Sequence, residues 1–341
     1  MPWRKNIIYV AVLIVSVPVV WVYRRTAVSE PIKIEGLTMG TTYQVTYFDP
    51  LGRNFKISID SLLTVVNRSI NTYDSTSEVS RFNRGTELTY ELPYLYPPLK
   101  KAKEIFEQSG GAFDLSVMPL VNAWGFGPGQ SLTMDSSRVD SLKAFVGFDK
   151  INLTSEKISK TDVRVQLDFG GIGQGYGADV IAGFMRSKGI SDMLVELGGE
   201  GLALGKNLKA NKSWTVGILD PGSTTDDQFF KAYVTLTNRS FTTSGNYFNY
   251  REIDGRKYSH TIDPDTGYPA DHAILSASVF AGDCMTADAW ATAFMVMGHE
   301  RAIEYVRLHP EIDVILMYSI ADSKTDLFIS DGIKSNVTLE P

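Results

Sequence analysis

Cysteine is nearly absent. The 341 residues hold one, Cys284, so no internal disulfide can form, and this fits any redox compartment. That thiol has no evident partner in the sequence, and no serine stands in a G-x-S-x-G elbow, so nothing points to a covalent hydrolase. An excess of positive charge is missing too. The formal net charge is −6 and the pI near 5.4, which argues against nucleic acid as a partner. No internal repeat and no low-complexity linker divides the chain. Long apolar runs are lacking except for one, from Ile7 to Tyr23, flanked by Arg4 and Lys5 before it and Arg24 and Arg25 after it. Its length is at the short limit for a membrane span, about 17 residues. No Ala-x-Ala-like cleavage site adjoins it and no cysteine lies near to carry a lipid. The expectation is an uncleaved signal anchor over residues 1–25, a linker over 26–31 and one domain over 32–341. With the free amine, the N-terminal side is the more positive, which places it in the cytoplasm and the body outside. A cleaved secretory signal is the alternative, and it also exports the body.

What is present suffices for a large core, since 43% of the residues are hydrophobic. Residues 32–37 and 42–48 read as strands around a turn at Met39-Gly-Thr41. Ile59, Leu62, Leu63, Val66 and Ile70 form one helical stripe. A polar loop follows over residues 71–83. Pro97 and Pro98 open a helix that Gly110 and Gly111 end, and Asp135 caps another. Further strands are expected at 193–197, 214–219, 232–236, 239–243 and 277–280. Asp283 should cap a helix over 285–297, a second helix covers 300–308, and 312–318 with 325–330 reads as a closing hairpin. Strands come in runs with helices clustered between them, which predicts an α+β fold in one compact domain.

The chain is organised around residues 163–183. Val163, Val165 and Leu167 alternate as in a strand, and Asp168 stands at its end. Gly170, Gly171, Gly173, Gly175 and Gly177 follow, then Tyr176, Val180, Ile181 and Phe184 at helical spacing, with Gly189 as C-cap. Strand, glycine turn and helix is an arrangement that brings backbone N–H groups against phosphate oxygens. Two other readings compete. Gly173-Gln-Gly175-Tyr-Gly-Ala178 fits a dinucleotide fingerprint, with Glu196 about 20 residues on as the ribose acid. Alternatively, the glycines only let a helix pack closely.

Asp288 and Thr292 lie four apart in the helix that Asp283 caps, so their oxygens share a face. A carboxylate and a hydroxyl suit Mg²⁺ better than zinc, though such a pair in isolation is more often just a solvated polar face. Of the four histidines, His299 and His309 read as surface residues and His272 as a loop residue. His260 stands in an extended segment that ends in an Asp263-Pro-Asp-Thr-Gly267 turn.

Several motifs occur in one order: Met39-Gly-Thr41, Asn71-Thr-Tyr73 with Ser77-Glu-Val-Ser-Arg-Phe-Asn83, Gly111-Ala-Phe-Asp114, Leu167-Asp-Phe-Gly-Gly-Ile-Gly-Gln-Gly-Tyr176, Glu196-Leu-Gly-Gly199, Thr243-Ser-Gly245, Ser259-His-Thr-Ile-Asp-Pro264 with Thr266-Gly-Tyr-Pro269, and Ala287-Asp-Ala-Trp-Ala-Thr292. That order resembles the ApbE family, the FAD:protein FMN transferases, from about Ile34 onward. The resemblance implies an α+β fold related to the T-fold, with antiparallel sheets and packed helices. It implies an enzyme of the bacterial inner membrane with its domain in the periplasm. Such an enzyme splits FAD with Mg²⁺, attaches FMN through its phosphate to a threonine or serine of a target protein, and releases AMP. The targets would be subunits of membrane redox complexes of the Rnf and Nqr type. By position, Met39, Tyr73, Ala112, Phe113, Asp114, Asp168, Gln174 and Ile262 would line the FAD site. Gly171 through its carbonyl, Asp288 and Thr292 would hold the metal, and His260 would be the base. The chain departs from the family pattern at Gln174, where many members carry Lys, and in lacking the lipid-bearing cysteine of many bacterial members. FAD hydrolysis to FMN and AMP, or FAD binding without turnover, are the alternative activities.

Overall fold

The computed structural model describes residues 30–223, 227–246, 250–253, 256–271, 273–320 and 324–340. The expected N-terminal anchor and His272 lie outside them. No helix among the described residues is long and apolar enough to cross a membrane.

An eight-stranded sheet forms the frame. Its strands run, in spatial order, Ile32–Thr38, Thr41–Tyr47, Met193–Leu197, Glu200–Leu204, Arg239–Gly245, Ile274–Phe280, Asp313–Ile320 and Lys324–Ile329. Every neighbouring pair is antiparallel. Two of its hairpins use two-residue turns with positive φ at both positions, the geometry that matches the twist of the flanking strands. They are Met39-Gly40, at 51° and 74°, and Gly198-Gly199, at 70° and 107°. Each turn delivers a residue to the same cavity, Met39 from the first and Glu200 from the second.

The sheet is covered on both faces. Ala277, Val279, Val314 and Leu316 pack with Trp290 and Phe294 of the helix Cys284–Met297. Phe280, Ile315 and Met317 pack instead with Trp214, Val216 and Val234 of a three-stranded sheet, Trp214–Leu219, Phe230–Leu236 and Val337–Leu339. A second small sheet joins Glu87–Thr89, Lys157–Lys160 and Ile151–Leu153, and the backbone pair Tyr250–Ile253 and Arg256–Ser259 stands apart. The fold is α+β with antiparallel sheets, as the sequence predicts.

Two expectations are corrected. Residues 163–167 are not a ladder strand, and only Gln166 makes an isolated bridge, to Val117. Their backbone groups are satisfied mainly by side chains. The Asn83 carboxamide donates to the Leu167 carbonyl (2.9 Å) and accepts the Leu167 N–H (2.8 Å), and the Lys160 ammonium meets the Val163 and Val165 carbonyls. The polar stretch 71–83 is not all loop either. Ser77 accepts from the Ser80 N–H (3.1 Å) and starts the helix Glu78–Arg84.

Candidate active site

The site forms where two helices cross beside the large sheet. The glycine helix, Gly173–Ser187, begins within the glycine run rather than after it. A side chain at Gly175 would put its Cβ 2.5 Å from the Cys284 carbonyl oxygen and 2.7 Å from the Asp288 Cβ. Only glycine lets the two helices approach this closely. The seam is then locked in both directions. Gly175 N–H, an unpaired donor of the first helical turn, bonds the Asp288 Oδ2 at 2.9 Å. Asp179 returns the favour, accepting from Cys284 N–H (2.9 Å) and Met285 N–H (2.8 Å) at the start of the partner helix. Sequence reasoning missed Asp179, because an acid in mid-helix carries no signal of the terminus it will cap.

Asp288 and Thr292 do share a face, one turn apart, at the cavity floor. Gly171 reaches them because it has no side chain. Its Cβ would lie 2.7 Å from Thr292 Oγ1 and 3.2 Å from the Phe113 ring. The opposite wall is irregular backbone. Asp168 receives the Gly170 N–H (3.2 Å), and its own N–H donates to the Leu115 carbonyl (2.7 Å). Asp114 accepts from Ser116 N–H (2.7 Å) and Phe148 N–H (3.2 Å), so it shapes the loop as well as lining the cavity.

The rim is more open. Tyr73 is 70% exposed, and its hydroxyl reaches the Phe126 carbonyl at 3.3 Å. His260 is half-buried and lines the same cavity. Its segment is fixed on both sides. Ser259 Oγ donates to Asn246 Oδ1 (2.6 Å), and the turn after it is closed by Gly267 N–H on the Asp263 carbonyl (2.8 Å). Trp124 Nε1 donates to the Gly267 carbonyl (2.9 Å) from below.

These walls enclose about 760 Å³, which suits a ligand of cofactor size. All twelve residues proposed from sequence line it: Met39, Tyr73, Ala112, Phe113, Asp114, Asp168, Gly171, Gln174, His260, Ile262, Asp288 and Thr292. Glu196, the ribose acid of the dinucleotide fingerprint, does not. It sits exposed on its strand, and Gly175 and Gly177 serve helix packing, so that reading is set aside. Glu200 lines the cavity and was not anticipated. Its only sequence signal is an acid placed directly after a Gly-Gly turn.

The electrostatics are one-sided. Burial pushes Asp288 up to about 7 and Asp114 up to about 6, and it raises Asp168. Glu200 is raised by burial first and then by the Asp288 charge. No lysine or arginine is among the described residues that line the cavity. The donors Asp288, Thr292 and the Gly171 backbone are all oxygen, which fits a hard divalent cation such as Mg²⁺.

Comparison with known proteins agrees in one direction. Residues 39–316 match the model of the ApbE family. The FAD:protein FMN transferase of Vibrio cholerae is 34% identical over 303 residues, covering 86% of this chain and 89% of that protein. The FAD:protein FMN transferase of Haemophilus influenzae is 35% identical over 287 residues, covering 80% and 82%. Among solved structures, the flavin transferase ApbE from Vibrio cholerae superposes with a TM-score of 0.81 at 32% identity, covering 90% of this chain and 99% of that one.

Proposed function

The chain belongs to the ApbE family, and from that premise we propose that it is a Mg²⁺-dependent FAD:protein FMN transferase. FMN is attached through a phosphoester to a threonine or serine of a target protein, and AMP leaves. The observation that carries the reading is the cavity floor. A pyrophosphate brought into a cavity that the described residues line with four acids and no Lys or Arg needs a cation, and Asp288, Thr292 and the Gly171 carbonyl supply an all-oxygen place for one.

The Gly170–Gly171 turn, held by Asp168, stands at the pyrophosphate end of the substrate. Tyr73, Phe113 and Ile262 provide apolar surface for its rings, with Met39, Ala112, Asp114 and Gln174 completing the walls. The cation, when bound, neutralises charge on the pyrophosphate and on the departing AMP, a Lewis-acid role. His260 takes the proton from the attacking hydroxyl, which enters by the open rim. General-base help of this kind is worth roughly 10²–10⁴-fold. The rest is positioning, which is most of what phosphoryl transfer asks of a protein.

The targets are FMN-binding subunits of membrane redox complexes of the Rnf and Nqr type. The segment 1–25 holds the enzyme to the bacterial inner membrane, and residues 32–341 work as one domain in the periplasm. Protease added to spheroplasts should digest the domain, and protection would reverse the orientation. The decisive experiment incubates the full chain with FAD, Mg²⁺ and a candidate FMN-binding domain. A target mass increased by one FMN, lost in Asp288→Ala, supports transfer. Free FMN and AMP with an unmodified target would replace it with hydrolysis, and intact FAD with a carrier.

A further inference from the structure

Glu200 has no part in the site as drawn so far. Its place is fixed twice. The Gly198-Gly199 turn pairs it with Leu197 across the hairpin. Leu197 in turn packs on the glycine helix, where a Cβ on Gly177 would come 2.9 Å from its Cδ1. The hairpin tip therefore cannot drift from the helix N-terminus. A Cβ on Gly198 would lie 3.0 Å from Glu200 Oε2 and 2.9 Å from Gln174 Nε2, so both side chains close over that glycine. Glu200 Oε2 is shut off from solvent and has no hydrogen-bond partner among the described residues. A carboxylate oxygen buried without a partner is costly, and native structures rarely keep one without a use. It lines the cavity together with Asp288, whose charge it feels directly. A brace would hold Oε2 by a hydrogen bond, and among the described residues it makes none. Two carboxylates that face one cavity and lack a counter-charge form a binding place for a small, hard cation.

We propose that Glu200 is the second carboxylate of the cation site and helps Asp288 hold the divalent metal. This rests on the reading of a Mg²⁺-dependent site given above. It also accounts for a neutral Gln174 at the helix N-terminus: an ammonium there would compete with the metal for Glu200.

The test uses Mn²⁺ as the probe, with the purified full chain and no FAD, and counts free Mn²⁺ by electron paramagnetic resonance. Glu200→Gln should weaken Mn²⁺ binding about tenfold, the low end of the range for groups supporting a metal site. Glu200→Asp, which keeps the charge, should fall between it and the wild type. The metal-free melting temperature and the metal-free FAD affinity of Glu200→Gln should not fall, because Oε2 makes no hydrogen bond among the described residues and Gln keeps the other oxygen as an acceptor. Unchanged Mn²⁺ affinity in Glu200→Gln, with a large loss in Asp288→Asn, would overturn the role of Glu200 and leave the cation site standing. If the wild type and Asp288→Asn bind Mn²⁺ alike, the cation site itself fails, and Glu200 with it. A fall in melting temperature without a fall in Mn²⁺ affinity would make Glu200 a brace.

Discussion

The seam between the two helices and the wall opposite it hold the same cavity by different means. At the seam, backbone meets backbone. Gly175 lies under the Cys284 carbonyl, and each helix gives a carboxylate to the other's N-terminus, Asp288 in one direction and Asp179 in the other. The wall has no such regularity. Residues 163–169 join no ladder, and their polar groups go mainly to Asn83, Lys160 and the Leu115 carbonyl. The seam is a packing solution, so it tolerates no added volume. The wall is a hydrogen-bond solution, so it suffers most when a polar partner is lost. Function divides along the same line: the seam presents Asp288 and Thr292, the wall Asp114 and Asp168.

The largest effect is expected at the seam. Gly175→Val should destabilise the protein by about 3 kcal/mol through overpacking, against backbone that has nowhere to go. Urea unfolding would measure it. A loss under about 1 kcal/mol would mean that the helices part easily and that the contrast is false.

Next comes the wall. Asn83→Ala leaves the N–H and carbonyl of Leu167 without their buried partners, and should cost about 2 kcal/mol. Because Leu167 precedes Asp168, FAD affinity should fall with it. A stability loss with unchanged FAD affinity would show that Asp168 is placed by Leu115 alone.

Lys160 supplies a pH signature for the wall. Burial lowers its ammonium from the usual 10.5 to about 8. Between about pH 8 and 10.5 the unfolded chain still holds a proton that the folded chain has released. This residue therefore makes stability rise with pH across that window, while below it the folded state carries the cost of a buried charge. The stability difference between wild type and Lys160→Met should shift in favour of the wild type as pH climbs from 8 to 10.5. Parallel curves would place the ammonium in water.

The smallest effect is expected at the rim, which belongs to neither region. Tyr73→Phe removes one exposed contact, to the Phe126 carbonyl, and should change stability by less than about 0.5 kcal/mol. A larger loss would extend the wall's network out to the rim.

Much of this was open to a reader of the sequence because it is local. Met39-Gly40 needs positive φ in adjacent residues, and the expected strands on either side show where that hairpin is, whereas the strand Glu200–Leu204 after Gly198-Gly199 was not expected. Asp283 and Asp135 cap the helices that follow them, and Gly189 ends the glycine helix with φ of 81°. The i, i+4 spacing of Asp288 and Thr292 is geometry that any helix enforces. Twelve residues carried over from the motifs line one cavity.

Other features needed the tertiary structure. The alternation in 163–167 predicts a strand, but residues 163–164 form a turn and Gln166 makes only an isolated bridge, because alternation does not say who bonds the backbone. The partner of Leu167 is a side chain 84 residues away, and no local pattern announces a carboxamide in place of a strand. Glycines at 175 and 177 read as a phosphate turn because composition does not distinguish a loop that meets a ligand from a helix packed on a helix, as at Gly175, or on a sheet strand, as at Gly177. Only the position of Cys284 and Asp288 over Gly175 decides it. Glu200 is the clearest case. Its residue type and the turn before it lie in the sequence, but its approach to Asp288 joins a hairpin tip to a helix 88 residues further on. Distance in space between such elements is set by the sheet and helices packed between them, and by nothing in either segment alone.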